Sequence, residues 1–242
     1  MGSPRPRLSH AFHTPDAKRR YTRRLFATIA DRYDLITRVL SFGRDQAWKA
    51  RLIDLAAVRR GTRALDLACG TGDLTFLAAD RGAAVVGLDF TARMLELARA
   101  KSRGRSVHWT LGDMGRLPFA SGGFDLLTAG YGLRNVPDLE TALAEMFRVL
   151  RPGGRLCSLD FDRPDSPVVR AVYLTYLTIV GSTLGLILHG DPDTYRYIPA
   201  SIRRYPGARG VRSLMQQAGF STVEVIPVLG GFMAIHVATK PE

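Results

Sequence analysis

Between Ala64 and Leu74 the chain passes from a short apolar run, through an acid and a turn of small residues, into a helical pattern: Ala64-Leu65-Asp66-Leu67-Ala68-Cys69-Gly70-Thr71-Gly72-Asp73-Leu74. Apolar residues bounded by a glycine-rich turn read as a buried strand feeding a helix. Glycine lets the backbone turn sharply and leaves room for a ligand against it, and the helix that follows points unpaired N–H groups at the same space. Such a turn grips a nucleotide-like molecule. The third glycine of the dinucleotide fingerprint is missing, because Thr75 stands there, and no Gly-Lys-Ser/Thr ending follows as a phosphate-binding P-loop requires. Asp66 and Asp73 flank the turn, an arrangement unfavourable to a pyrophosphate and tolerant of a cation. S-adenosylmethionine, with a sulfonium, an ammonium and one carboxylate, fits that charge pattern.

Four more segments repeat the apolar-run motif: Ala83–Asp89, Val107–Met114, Phe124–Gly130 and Gly154–Asp160. Strands alternating with helical patterns indicate a mostly parallel sheet covered on both faces, with ligands at the carboxyl ends of the strands. Asp66, Asp89 and Asp113 all fall at such ends. An acid ending the second strand of an α/β nucleotide site takes the two ribose hydroxyls, which is the role expected of Asp89. Asp113 is placed to accept from an adenine amino group, with Met114 packing on the ring. Each acid alone is equally well a helix cap or turn acid; three at matching positions point to a site.

A chain of 242 residues buries one substantial core and leaves little for a second domain. Its two cysteines, Cys69 and Cys157, lie in or beside expected strands and form no disulfide framework, which fits a reducing cytoplasm. No His, Cys and carboxylate spacing resembles a metal site, and no apolar leader precedes the domain. Of the net charge of +12, residues 1–26 supply half, with seven Arg or Lys against Asp16. A basic arm over residues 1–17 is expected to be mobile; it suits an anionic membrane surface or simple solvation. Nothing elsewhere pairs a basic stripe with stacking aromatics, so no nucleic-acid partner is expected. From Ala171 to Leu188 there are 18 residues without a charge, the lower edge of a membrane span. A crossing there would leave the last sheet strands on the wrong side of the bilayer. A helical lid over an apolar substrate site, touching a membrane face or not, and a plain core helix both stay open.

The chain resembles the class I S-adenosylmethionine-dependent methyltransferases, and among them the ubiquinone/menaquinone biosynthesis C-methyltransferases. The likeness runs from about Arg19 to Lys240. It rests on Tyr33-Asp34-Leu35, Leu40-Ser41-Phe42-Gly43 with Trp48-Lys49, the Asp66–Asp73 turn and Leu117-Pro118-Phe119. It continues through Tyr131-Gly132-Leu133-Arg134-Asn135-Val136, Arg148-Val149-Leu150-Arg151-Pro152-Gly153-Gly154, Tyr195-Arg196-Tyr197 and Ser201-Ile202. The resemblance implies an α/β, doubly wound, Rossmann-like sheet of seven strands, mostly parallel with an antiparallel last strand. A single domain over 18–242 is expected, with an N-terminal helical cap over 18–60 and a lid-like insertion over 165–210. The helically spaced Leu25, Phe26, Ile29, Tyr33, Ile36 and Leu40 would pack the cap on the domain or close it around a prenyl tail.

The same resemblance implies cofactor contacts at Asp66, Gly70, Thr71, Gly72, Asp89, Asp113 and Met114. A further contact falls on Gly130, where relatives usually carry serine. The reaction implied is methyl transfer from S-adenosylmethionine to a ring carbon of a lipidic quinol such as demethylmenaquinol, by a cytoplasmic enzyme peripheral to the membrane. Arg134, following the fourth strand, is expected to stabilise the developing phenolate, Asn135 to position a ring oxygen, and Tyr33 to add a hydrogen bond. The bland alternative for Arg134 is an ion pair with Asp138 or Glu140, and for the candidate base His236 a satisfied core position. The family's Tyr-Asp-x-Met-Asn block ends here in Thr37, its histidine before the tryptophan is Asp45, its glutamate after the fifth strand is Asp160, and a nearby serine is Asp162. These departures favour a different phenolic or prenyl-lipid acceptor; a non-catalytic scaffold is the third reading. Whether the chain forms a homodimer stays open.

Overall fold

The apolar runs become β1 (Arg63–Leu67), β2 (Ala84–Asp89), β3 (Val107–Leu111), β4 (Phe124–Gly130) and β5 (Leu150–Phe161) in a computed structural model that describes Leu8 and residues 11–242. With β6 (Thr222–Val228) and β7 (Met233–Thr239) they form one sheet in the order β3-β2-β1-β4-β5-β7-β6. The first five pair in parallel, and β7 lies antiparallel between β5 and β6. The seven-stranded, mostly parallel sheet with an antiparallel last strand is as expected from the sequence.

The strands read as nearly unbroken apolar runs because both faces of the sheet are covered. Side chains alternate across the pleat: Leu65, Leu67 and Leu127 enter a core with α6 (Leu139–Val149) and α9 (Gly207–Gln217). Ala64, Leu126 and Leu159 enter a second core with α3 (Asp45–Leu55) and α4 (Asp73–Asp80). α5 (Ala92–Lys101) links β2 to β3. The chain winds outward in both directions from β1 and β4, so their carboxyl ends diverge and open a crevice there.

Two additions flank that crevice. α1 (Pro15–Ile29) is capped by Thr14, whose hydroxyl accepts from the Ala17 amide, and Pro15 sits in the first turn, where a missing N–H costs nothing. Most of the expected mobile arm falls on residues outside the described ones, while residues 15–17 belong to this helix. A three-residue 3₁₀ turn leads from α1 into α2 (Tyr33–Leu40). After β5, α7 (Pro167–His189) and α8 (Asp193–Arg204) pack on each other. The glycines of α7 make this close: a Cβ on Gly185 would sit 2.5 Å from the Asp191 carbonyl oxygen. α7 is long and apolar enough to cross a membrane, with mean hydropathy 1.8. Yet β7 beyond it hydrogen-bonds to β5 before it, which keeps both of its ends on one domain.

Candidate active site

The turn after β1 is built from left-handed backbone. Gly70 and Gly72 have φ of +54° and +98°, values that L side chains rarely adopt, and a Cβ on Gly72 would lie 2.7 Å from the Phe76 ring. The Gly70 amide donates to Asp89 Oδ2 at 2.9 Å, and the Thr91 amide to Asp89 Oδ1 at 2.8 Å. Asp66 is buried, and its two oxygens accept from the Thr75 and Thr128 hydroxyls at 2.6 and 2.7 Å. Burial pushes both carboxyls up to about 6 despite those hydrogen bonds. Asp66 therefore ties the end of β1 to β4 and α4, a bracing task beyond the contact role read from sequence.

A cavity enclosing about 610 Å³ of empty space lies over the ends of β1, β2 and β4, lined by Gly70, Asp89, Asp113, Met114, Gly130 and Asn135 among others. A smaller space of about 310 Å³ adjoins it at Asp66, Thr71, Asp73 and Lys49. The expected cofactor residues Gly70, Asp89, Asp113, Met114 and Gly130 line the larger space and Asp66 and Thr71 the smaller, while Gly72 lines neither. The sequence reading missed the cover: Arg19, Thr22 and Phe26 of α1 close over the larger space. Arg19 Nε donates to Asp113 Oδ2 at 2.9 Å, so that acid already has a partner. Lys18 Nζ donates to the carbonyls of Arg134 and Val136, and burial, then the Arg134 charge, lower it to about 8. Arg23 Nε donates to the Phe90 carbonyl. These three cations, at the start of the expected helical cap, are tethers holding α1 to the crevice.

A second cavity, of about 880 Å³, lies beneath α1, α2, α7 and α8. All six residues of the N-terminal stripe, Leu25 through Leu40, line it. It meets the first cavity at Phe26, Tyr33 and Tyr131. Arg134 is the single charged side chain lining it among the described residues. Its Nη1 donates to Asp160 Oδ1 at 2.9 Å and to the Tyr131 carbonyl at 3.0 Å, its guanidinium lies 4.7 Å from the Phe161 ring centre, and its buried Nε–H has no partner. The ion-pair alternatives Asp138 and Glu140 are not used; Asp138 caps α6. Asn135 does not share this cavity. It lines the first one, donates to the Tyr131 carbonyl at 2.8 Å and leaves its buried Oδ1 unpaired. Its side chain thus faces the first cavity, while that of Arg134 faces the second.

The substituted positions also find their partners. Thr37 lines the second cavity and returns its hydroxyl to the Tyr33 carbonyl; Asp160 holds Arg134; Asp162 Oδ1 accepts from the Ala208 amide at 2.7 Å. Buried His236 places Nε2 2.9 Å from the Ala208 carbonyl oxygen, and burial lowers its pKa, so it is a core histidine. Lys49, quoted above only within a motif, is buried between Asp45 at 2.5 Å and Asp73 at 2.7 Å. Its i,i+4 spacing from Asp45 was the available signal. Thr71 Oγ1 donates to Asp34, which also pairs with Lys101.

Strand order, the glycine turn and the cleft at the acidic end of β2 define a class I S-adenosylmethionine-dependent methyltransferase fold. A methyltransferase of that dependence from Thermotoga maritima shares it, with a TM-score of 0.64 over 90% of this chain and 98% of that one at 20% identity. The chain belongs to the ubiE/COQ5 methyltransferase family, whose sequence profile matches residues 14–240. It is similar to the demethylmenaquinone methyltransferase of Thermus thermophilus, 43% identical over 90% of this chain and 100% of that protein. The Staphylococcus aureus enzyme of the same name is 36% identical over 93% and 95%. The chain is therefore an S-adenosylmethionine-dependent methyltransferase.

Proposed function

We propose that this enzyme methylates a ring carbon of a prenylated quinol of the demethylmenaquinol type. The observation that carries this reading is the second cavity, with a mainly apolar and aromatic lining and one cation, which shares Phe26, Tyr33 and Tyr131 with the cofactor cleft. A soluble phenol needs no such apolar lining; a hydrocarbon tail does. The names of the two relatives support the same acceptor.

S-adenosylmethionine supplies an electrophilic methyl group when bound. The residues present suit it: a cleft lined by glycines, a buried carboxylate at Asp89 that accepts from the backbone amides of Gly70 and Thr91, and an unpaired amide oxygen at Asn135. Asp89 would hold the ribose hydroxyls, Met114 and Asp113 would flank the adenine, and Gly70, Thr71 and Gly130 would line the space for the methionyl part, with Gly72 shaping the turn against Phe76 and Asp66 bracing the strand before it. Asn135 orients the cofactor side. The protein's main task is to align donor and acceptor carbons. A phenol ring carbon attacks far better once its hydroxyl ionises, and Arg134, with its free Nε–H, stabilises that developing charge. Tyr33, where the two cavities meet, adds a second hydrogen bond to the ring oxygens.

The route of the tail leads to a bilayer. Phe42 and Tyr176 line the second cavity and are themselves exposed; from them run exposed apolar stripes, Leu35 and Val39 on α2, Val172, Ile179 and Ile187 on α7. Such a face suits peripheral contact with a membrane surface. Labelled methyl transfer is expected to favour vesicle-borne demethylmenaquinol over its tail-less headgroup and over soluble phenols. Val172→Glu with Ile179→Glu should lower turnover on the vesicle-borne substrate several-fold and spare that on the tail-less one. Transfer to a soluble phenol with none to any prenylated quinol would replace this reading by a different phenolic acceptor.

A further inference from the structure

Methylating an aromatic carbon leaves a proton to be disposed of. The new carbon–carbon bond forms with a ring electron pair, the carbon–sulfur bond breaks with its pair going to sulfur, and one acceptor hydroxyl loses its proton, leaving a dienone. Its ring C–H bond then breaks as the ring regains aromaticity and a proton returns to the oxygen, so the quinol gives up one proton net and keeps both hydroxyls. Arg134 is unsuited to receive it: a guanidinium has no acceptor lone pair and does not deprotonate in proteins. Asp160 is committed to Arg134 and to the Phe161 amide. The second cavity is otherwise apolar, apart from hydroxyl groups, one of which leads outward.

That hydroxyl belongs to Tyr131. The residue directly follows β4 with φ of +59°, a left-handed backbone costly for a bulky side chain and kept only where the surroundings fix it. It stands where the two cavities meet and also lines the small space at the glycine turn. Its hydroxyl donates to Asp45 Oδ1 at 2.6 Å. Asp45 Oδ2 accepts from Lys49 Nζ at 2.5 Å, and Lys49 reaches Asp73 Oδ2 at 2.7 Å, where the side chain is 27% exposed. Gln46 Nε2 also donates to Asp73 at 2.8 Å. A continuous polar path thus runs from the meeting point of the cavities to solvent through an otherwise buried region.

We propose that Tyr131 and Asp45 form the exit for the proton released in methyl transfer. The acceptor hydroxyl gives its proton to Tyr131 Oη as Tyr131 passes its own to Asp45 Oδ1. Asp45 is then cleared through Lys49, which takes a proton from Asp45 as it yields one to Asp73. Tyr131 touches the acceptor, and Asp45 acts through it as a positioning and proton-holding residue. Burial, and then the Asp45 charge, push the Tyr131 phenol well up, so it remains a donor to Asp45 between turnovers. The other charged or titratable groups facing it are Lys49 on α3, Tyr33 on α2, Asp160 on β5 and Arg134. The proposal rests on a quinol or phenol being the acceptor.

Tyr131→Phe keeps the ring and removes the relay, Asp45→Asn keeps an acceptor oxygen that binds no proton, and Asp45→His restores a proton acceptor. Labelled methyl transfer to demethylmenaquinol, with calorimetric S-adenosylmethionine binding on each variant, reads the outcome. Tyr131→Phe and Asp45→Asn should lower kcat at least about tenfold with cofactor affinity within about twofold of wild type. That deficit should shrink as pH rises and solution base removes the proton. Asp45→His should recover most of the loss. Wild-type kcat in Tyr131→Phe across the pH range, or Asp45→His no better than Asp45→Asn, would overturn the relay. If wild type itself fails on the quinol, the acceptor reading fails instead, a distinguishable result.

Discussion

Arg134→Gln is expected to lose both folding stability and turnover, and a second substitution separates the two losses. Arg134 and Asp160 form an ion pair whose side chains are 7% and 2% exposed. Removing one member strands the other charge in the core, which costs about 3–5 kcal/mol and lowers Tm by on the order of 10 °C in a chain of this size. Adding Asp160→Asn removes the stranded charge, and its amide oxygen still accepts from one of the backbone amides that Asp160 now serves. Most of the stability should therefore return in the double variant. Methyl transfer should stay at least about a hundredfold down, because no cation faces the acceptor ring, while cofactor affinity stays near wild type. Thermal unfolding, calorimetry and labelled transfer measure the three quantities. A double variant that regains turnover would reduce Arg134 to a structural member of the pair.

Much of this site was legible in local sequence. The glycine turn, the acids ending β1 and β2, and the apolar stripe from Leu25 to Leu40 are each specified within a few residues by backbone and periodicity constraints. That these six side chains share one face follows from their period; that the face lines a cavity does not. What escaped the sequence depends on contacts between distant segments. Asp160 lies 26 residues beyond Arg134, and Asp45 lies 86 before Tyr131. Asn135 parts from Arg134 for a simpler reason. Both belong to the 3₁₀ turn Leu133–Asn135, where three residues complete each turn and adjacent side chains point about 120° apart. The basic charges of the cap also lay beyond local reading: only the folded crevice shows the carbonyls and Asp113 that Lys18, Arg23 and Arg19 meet.

Asp89→Asn should weaken S-adenosylmethionine binding by a hundredfold or more while leaving the cofactor-free fold about as stable as wild type. Two ribose hydroxyls donating to a carboxylate are charge-assisted bonds of about 1.5–3 kcal/mol each, and an amide accepts at one atom only. The free protein carries that carboxylate at a cost. Burial raises it to about 6, so the folded chain holds its proton longer than the unfolded one does. Stability from this group is therefore lost as pH rises from about 4 through about 6 and is level above, an effect on the order of 2–3 kcal/mol at neutral pH. The substitution removes that burden and leaves one backbone amide, of Gly70 or Thr91, without its acceptor; the two changes offset. Asp66, also raised to about 6, retains its own pH dependence in the variant. Cofactor affinity in wild type follows the reverse sign. Ribose hydroxyls favour the ionised carboxylate, so binding should strengthen up to about tenfold per pH unit below the pKa and level off near pH 7. Calorimetry from pH 5 to pH 8 tests this: a wild-type affinity flat across that range, or an Asp89→Asn variant that binds normally, would place the ribose elsewhere in the cleft.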